Sequence, residues 1–447
     1  MAGLVATGSI VGAGVAAADD DVQHQGGAVA TLDGLKTFDR AVLRTNGKSH
    51  EIPAGVFEMT VDGGGRLKTY CIDIHNPTQD QAKYLETPWN QTSLGGNKNA
   101  GKIRWILQHS YPQVDDLAAL AKAAGAGPLS EKTAAAGTQV AIWRYSDNAD
   151  VDALDPAAEK LADWLQKEAQ DVAEPKASLS LEPNAVSGKA GGRLGPVTVR
   201  TDASQVTVAP PADAAASGIK ITDAKGKPLT AVVNGAQLYF DIPAGAADGS
   251  ATLTAQATTS VPVGRAFAGV TKSQTQILAG SSESTVSASA TATWAQTGAI
   301  PALSAKKNCA KGGVDITAEN KGDAPFTFEL IGFNHTIPAG ASRTVTIPVA
   351  EDQAYDFTIT GPGGFTKTFK GVLDCKTTGS PGPDTDTPTS QPSPASVGGV
   401  SSGLEGDLAA TGSSSATPMI AGIAITLVVI GGGAVFFLRK KKASTEE

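Results

Sequence analysis

Cysteine, histidine, aromatic residues and charge are all scarce in this chain, and each scarcity argues against a class of function. Three cysteines (Cys71, Cys309, Cys375) and five histidines occur in 447 residues. The histidines, at 24, 50, 75, 109 and 335, are scattered, and the chain gathers no full set of Cys and His ligands at short spacing, so no Cys/His metal centre is expected. A surface cysteine hydrolase would need a histidine base beside its thiolate, and no papain-like signature surrounds Cys71. Charged residues are only 18% of the chain, and the net charge of −8 is spread thinly with no basic stripe, which argues against nucleic acid as a partner. Aromatics stand at 5% against 51 glycines, a texture that suits extracellular β-modules on flexible connections better than a cytosolic enzyme. No cofactor is expected.

The two ends supply an address. Residues 4–18, LVATGSIVGAGVAAA, form an apolar run closing on small residues and followed by DDD, like the later part of a secretory signal (residues 1–18). No Lys or Arg precedes Lys36, so the expected basic start of such a signal lies upstream of Met1. At the other end, Leu408, Ala409, Ala410, Thr411 and Gly412 precede a polar spacer and the apolar run Pro418–Leu438. That run, 21 residues, can cross the ~30 Å hydrocarbon core as a helix, and the basic RKKK that opens the tail at 439–447 would hold it on the cytoplasmic side. This string resembles an LAxTG sortase sorting signal. The resemblance implies cleavage between Thr411 and Gly412 and transfer of Thr411 to peptidoglycan. The partners are then sortase and the cell wall, with the membrane involved only before sorting. Ala409 stands where the commoner signal has proline, which leaves the sortase class open.

Between the ends the pattern predicts a multidomain, mainly β protein. Residues 29–174 mix strands with helices: GVFEMTV and RLKTYCIDI alternate around DGGG, a hairpin pattern. Helical stretches follow, starting at a cap residue (Asn99) or ending at a glycine (Gly125), and SEKTAAAGTQVAIWRYSD and DPAAEKLADWLQKEAQDVA are the longest. Residues 175–298 are rich in Ser, Thr, Ala and Val with frequent turn signals, Asn234–Gly235 among them, and read as a β-sandwich (Ig-like) spacer. Residues 299–376 read as a smaller β-sandwich in which Phe326 and Phe328, and Tyr355, Phe357 and Ile359, alternate on a packed face. Cys309 and Cys375 open and close it, and in an oxidising space they are expected to pair. Such a bridge would stabilise the block by roughly 4 kcal/mol on the chain-entropy model. Residues 377–407, rich in Pro, Ser and Thr, read as an extended, disordered wall-spanning linker.

Pairing Cys309 with Cys375 leaves Cys71 odd. It can be a buried structural cysteine, an intermolecular disulfide partner or a nucleophile. Downstream, TQVAIW at 138–143 puts Gln139 mid-helix, with Ala136, Val140 and Trp143 placed to face a core. Together YCID and this TQxA string (Thr138, Gln139, Ala141, with Trp143 two further on) resemble the Cys–Gln thioester domains of Gram-positive surface proteins. The order also matches: cysteine on an early strand, a helical insertion, then glutamine on a helix. The resemblance implies an α+β domain, a β-sandwich with a helical insertion, in which Cys71 sulfur and the Gln139 side-chain carbonyl are joined with loss of ammonia. Trp143 is then expected to shield the bond, and Tyr70 and Thr138 to hydrogen-bond its carbonyl. An amine on another surface would take the Gln139 acyl group, making the protein a covalent adhesin that acts once and is not an enzyme. The competing reading is a non-covalent structural or binding protein of the cell surface with a structural Cys71.

Overall fold

The computed structural model describes residues 26–361 and 365–377. The signal-like segment 1–18, the linker beyond residue 377, the LAATG motif at 408–412, the apolar run at 418–438 and the tail at 439–447 lie outside the described residues. Among the described residues no helix is long and apolar enough to cross a membrane.

Strand β1 (Val29–Thr45) turns at Asn46–Gly47, both at positive φ, into β2 (Lys48–Val61), in register from Thr45 opposite Lys48 to Ala30 opposite Val61. Such a turn matches the twist of paired strands, and Asn and Gly are the residues that tolerate it. The expected hairpin around DGGG is present: β2 runs into β3 (Arg66–Cys71), with Phe57 opposite Thr69 and Thr60 opposite Arg66. Strands β4 (Lys83–Thr87) and β5 (Val151–Ala153) both pair with β1.

Two further strands of this sheet come from far along the chain. Ala266–Gly269 pairs with β4, and Gln276–Ser281 pairs with β3, placing Gln276 opposite Cys71. Their mutual pairing and the β1–β2 ladder complete a circuit, β1–β2–β3–(276–281)–(266–269)–β4–β1. The strands around Cys71 thus form a sheet closed on itself rather than the open sandwich expected, and register shifts in β1 at Leu32/Gly34 and Leu35/Thr37 give it the bends closure needs. The sequence break at 174/175 does not bound this sheet.

Four helices connect β4 to the rest. They are α1 (Ala100–Gln108), α2 (Leu117–Ala124), α3 (Glu131–Ser146) and α4 (Pro156–Glu168). Their ends follow local chemistry. Asp116 caps α2, which stops at Gly125 in the left-handed region; Ser130 and Thr133 form a capping box on α3; Asp155 caps α4, with Pro156 in its first turn. Every residue of α3 from Ala134 to Trp143 is buried. A helix covered all round belongs inside, and α3 packs on β1 and β2 with α1 and α4 on its other sides.

The middle block is a two-sheet sandwich. One sheet contains Leu179–Glu182, Arg193–Thr201, Gln237–Asp241 and Lys220–Thr222; the other contains Ala185–Lys189, Glu283–Ala295, Gly249–Ser260, Val206–Ala209 and Ala231–Val232. The long ladder between Gly249–Ser260 and Glu283–Ala295 holds unbroken register from Gly249/Trp294 to Ser260/Glu283, and the chain between them is the excursion that supplies the two strands beside Cys71. Asn234–Gly235 is a turn, but it passes the chain from one sheet to the other instead of closing a paired hairpin. The last block, from Pro301 to Val372, has its own core around Ile316, Phe326, Ile337 and Phe369. Phe326, Phe328, Tyr355 and Ile359 are buried as their alternation predicts. Cys309 and Cys375 are bridged, with Cα atoms 5.2 Å apart.

The seam between the helical block and the sandwich is pinned by Glu86. Its carboxylate accepts from the Ala28 amide (3.0 Å), the Ser178 amide (2.9 Å), the Ser178 hydroxyl and Arg265 Nε (2.8 Å), and both side chains of the ion pair are buried. Arg265 also reaches Glu174 at 2.9 Å. Removing one member of a buried, hydrogen-bonded pair strands the other charge, at a cost of roughly 3–5 kcal/mol. Glu86→Ala is therefore expected to lower the urea midpoint by that equivalent; a change below about 1 kcal/mol would show that the pair does not hold the seam.

Candidate functional site

Cys71 ends β3, and Gln139 lies at the centre of α3. Both are fully buried, and Cys71 is not in a disulfide. The Gln139 side chain lies along the Cys71 backbone: its Oε1 accepts from the Cys71 amide at 2.9 Å, and its Nε2 donates to the Cys71 carbonyl at 2.8 Å. The two functional residues that the sequence singled out are thus brought together across 68 positions. One residue before Thr138, Gly137 allows α4 to cross close by, since a Cβ there would sit 2.4 Å from the Ala158 carbonyl. That close crossing fixes α3 against the sheet and so fixes where the amide stands.

The sulfur has its own surroundings. The Asp73 amide donates to Sγ at 3.2 Å. Burial pushes the Cys71 thiol well above its ordinary range, and the nearby Asp147 carboxylate pushes it further. The Trp143 indole N–H has no hydrogen-bond acceptor, yet it lies near enough to favour a thiolate at the sulfur, as does the Asp73 amide. Trp143 is 1% exposed, consistent with the shielding expected of it, and Ala141 is fully buried beside it.

Tyr70 and Thr138 do not have the expected roles. The Tyr70 hydroxyl donates to the Tyr111 carbonyl at 2.7 Å, and the Thr138 hydroxyl turns back onto the Ala134 carbonyl at 2.7 Å. The donor to the amide oxygen is the Cys71 backbone N–H, an interaction that side-chain identity cannot reveal. Three glutamine-strand residues went unread because they sit in the stretch taken as spacer. Gln276, opposite Cys71, accepts from the Thr69 hydroxyl (3.0 Å) and donates to Gln274 (3.2 Å); Gln274 in turn donates to the carbonyls of Asp73 (2.8 Å) and Asn76 (3.0 Å). The Thr275 carbonyl accepts from the Ile72 amide at 3.1 Å. Asp147, at the end of α3, was also missed. It accepts from the Ile74 amide (3.0 Å) and the Ser146 hydroxyl (2.5 Å), and burial pushes its carboxyl up to about 7. The signal available was the SQTQI string itself, four consecutive polar residues running into the apolar strand Gln276–Ser281.

Chemically, the arrangement seats a polarised carbonyl on the backbone of a buried cysteine. A backbone N–H aimed at Oε1 stabilises negative charge on that oxygen during attack. The Nε2 that would leave is held by one acceptor, and full burial keeps water from competing for the carbonyl.

Two stretches of the chain resemble known protein families. Residues 68–171 match the family described as Thioester domain, and residues 299–372 match the family described as Bacterial phospholipase C, C-terminal domain. Among solved structures, the Bacillus anthracis TIE protein is similar over 78% of this chain and 81% of its own, at 14% identity and a TM-score of 0.28. The thioester domain of the Enterococcus faecium TIE86 protein is covered to 99%, over 62% of this chain, at 16% identity and a TM-score of 0.28. The thioester domain of the Staphylococcus aureus TIE protein is covered to 98%, over 60% of this chain, at 12% identity and a TM-score of 0.24. A comparison with curated proteins finds no match. The chain is mainly β, and its residues 68–171 are similar to the thioester domain family.

The raised thiol gives a pH dependence with a definite sign. Below its pKa the thiolate fraction grows tenfold per pH unit, so ammonia loss on refolding is expected to accelerate by roughly that factor per unit between about pH 6 and 8. Asp147→Asn removes a neighbouring negative charge while keeping an acceptor for Ile74, and is expected to speed the loss at fixed pH. Intact mass followed over time after refolding checks both; a rate independent of pH would rule out a thiolate as the attacking species.

Proposed function

We propose that this protein is a cell-wall-anchored surface adhesin that attaches covalently to an amine on its target through a thioester between Cys71 and Gln139. The observation that carries this reading is the double hydrogen bond seating the Gln139 amide on the Cys71 backbone inside a fully buried site. The match of residues 68–171 to the thioester domain family supports it.

The bond balances as follows. Cys71 sulfur adds to the Gln139 side-chain carbon, the C–N bond breaks, and the thiol proton leaves with the nitrogen as ammonia. A thioester is less stable than the amide it replaces, so the fold must supply the attack geometry; held at near-attack distance, such partners reach effective molarities of roughly 10⁵–10⁸ M. An incoming amine then adds to the same carbon, the C–S bond breaks, and the sulfur recovers a proton. The target is left on Gln139 by an amide link and Cys71 as a free thiol. One turnover exhausts the site, so it binds and does not catalyse.

Non-covalent affinity saturates near −18 to −21 kcal/mol, whereas an amide tether does not dissociate. Export, cleavage after Thr411 and linkage of Thr411 to peptidoglycan would place the other end of the chain on the wall. Load would then run from Gln139 to Thr411, with the Cys309–Cys375 bridge shortening the path through the last block.

The intact mass of freshly purified protein is expected to fall short by one ammonia beyond the disulfide hydrogens, and the deficit should vanish in both Cys71→Ala and Gln139→Ala. Incubation with a simple primary amine should restore the missing mass as an adduct mapped to Gln139. Full mass together with a Cys71 that alkylates once the protein is unfolded would defeat the proposal and favour a structural cysteine. Thr411→Ala should release the protein from the wall fraction; unchanged retention there would refute sortase anchoring.

A further inference from the structure

Trp143 carries a buried donor that the fold leaves idle. Its indole N–H finds no acceptor among the described residues, and the side chain is 1% exposed. A buried donor without a partner is uncommon and costly, so its position calls for a physical reason. Shielding supplies none, because a phenylalanine would cover the bond without stranding a polar group.

The face of α3 shows where the indole lies. Gln139, Trp143 and Asp147 follow one another a turn apart along one side of the helix, with Asp147 at its C-cap. Both outer residues are fastened to the chain that ends β3. Gln139 bonds the Cys71 amide and carbonyl at 2.9 and 2.8 Å, and Asp147 accepts from the Ile74 amide at 3.0 Å. The Cys71–Ile74 segment therefore runs along this face, and Trp143 stands midway. Helical side chains lean toward the N-terminus, which lays the indole back toward the Gln139 amide. Two acceptors along the segment are taken, the Cys71 carbonyl by Gln139 and the Asp73 carbonyl by Gln274. The sulfur accepts from the Asp73 amide at 3.2 Å and has lone pairs for a second donor.

We propose that the Trp143 indole N–H is the hydrogen-bond donor to the Cys71 sulfur, steadying the negative charge that sulfur carries as the C–S bond forms and breaks. A neutral thiol is a weak acceptor, so the donor is underused in the resting amide. A thiolate makes the bond charge-assisted and strong, both when it attacks the Gln139 carbon and when an amine displaces it. The indole thus favours charge at the sulfur, where burial and Asp147 oppose it.

This role rests on the thioester reading, and the test separates the two. In Gln139→Ala the bond cannot form, and ionisation of Cys71 is followed by thiolate absorbance. Adding Trp143→Phe keeps a ring, removes the N–H, and is expected to move the midpoint up. A ring that only shields would leave the midpoint in place or, by admitting water, lower it; either result would overturn the proposal. The titratable groups around the sulfur are Asp73 on its own segment, Asp147 at the end of α3, Tyr84 on β4 and, beyond them, Asp374 of the last block, and all are common to both proteins. With Gln139 intact, Trp143→Phe should slow capture of methylamine, read as release of the Cys71 thiol, by roughly tenfold. That is less than the ~10²–10³ lost with an oxyanion donor, because sulfur accepts more weakly. Unchanged capture would count against the bond. Should Trp143→Phe not fold, Gln139→Ala labelled with ¹⁵N-tryptophan offers five indole resonances, one of which should move downfield at the thiol's own midpoint. No such movement, or a resonance that answers to Asp73→Asn and not to the thiol, would sink the assignment. Absence of the ammonia deficit in the unsubstituted protein would defeat the thioester alone, since the Gln139→Ala titration still decides the N–H bond.

Discussion

Two hydrogen bonds between the Gln139 side chain and the Cys71 backbone govern how the rest of this protein must be built. They require that the end of a strand and the middle of a helix stand at one fixed separation, with no water between them. A helix end or a surface strand could not meet that demand. The sequence meets it with an alanine-rich α3, small enough to lie close to β1 and β2, and with Gly137, where α4 passes almost in contact with the α3 backbone. The same clasp explains why the amide oxygen needs no side-chain donor. A backbone N–H belonging to the nucleophile's own residue cannot swing away, and it supplies a fixed dipole where charge develops.

Around that clasp the polar groups are organised rather than excluded. Gln274, Gln276, Thr69 and Asn76 form a connected set beneath the sulfur, in which each amide is spoken for by named partners. Such networks rigidify a core when complete and are costly when broken. Farther out the accounting fails, at Asp73 and Asp374, where buried oxygens lack donors.

Much of this was legible in the residues. The β2–β3 hairpin, the caps at Ser130 and Asp155, the stop at Gly125 and the bridge from Cys309 to Cys375 follow from local signals, because turn and cap chemistry is decided within a few positions. Cys71 and Gln139 could be paired only through a resemblance, since nothing local ties them. What escaped was long-range pairing. Gln276 is 205 positions from Cys71, so its strand read as part of a spacer, although it is the neighbour of β3. Asn234–Gly235 kept its turn but not its hairpin, because local geometry sets the bend and tertiary packing chooses the sheet. Tyr70 and Thr138 were given the carbonyl on adjacency alone, and both hydroxyls found nearer acceptors.

The excursion between Ser260 and Glu283 has a consequence for timing. During folding, β3 has an open edge until the segment 276–281 has docked, and until then the strand that carries Cys71 lacks one of its neighbours. Contacts so distant in sequence form late, after their closure entropy has been met by others. The in-register ladder that brackets the excursion acts as a guide, delivering both strands to the barrel as one preformed arm. On the proposed reading, the bond between Cys71 and Gln139 then waits on a segment some two hundred residues downstream, so the site is completed only when most of the chain has been made.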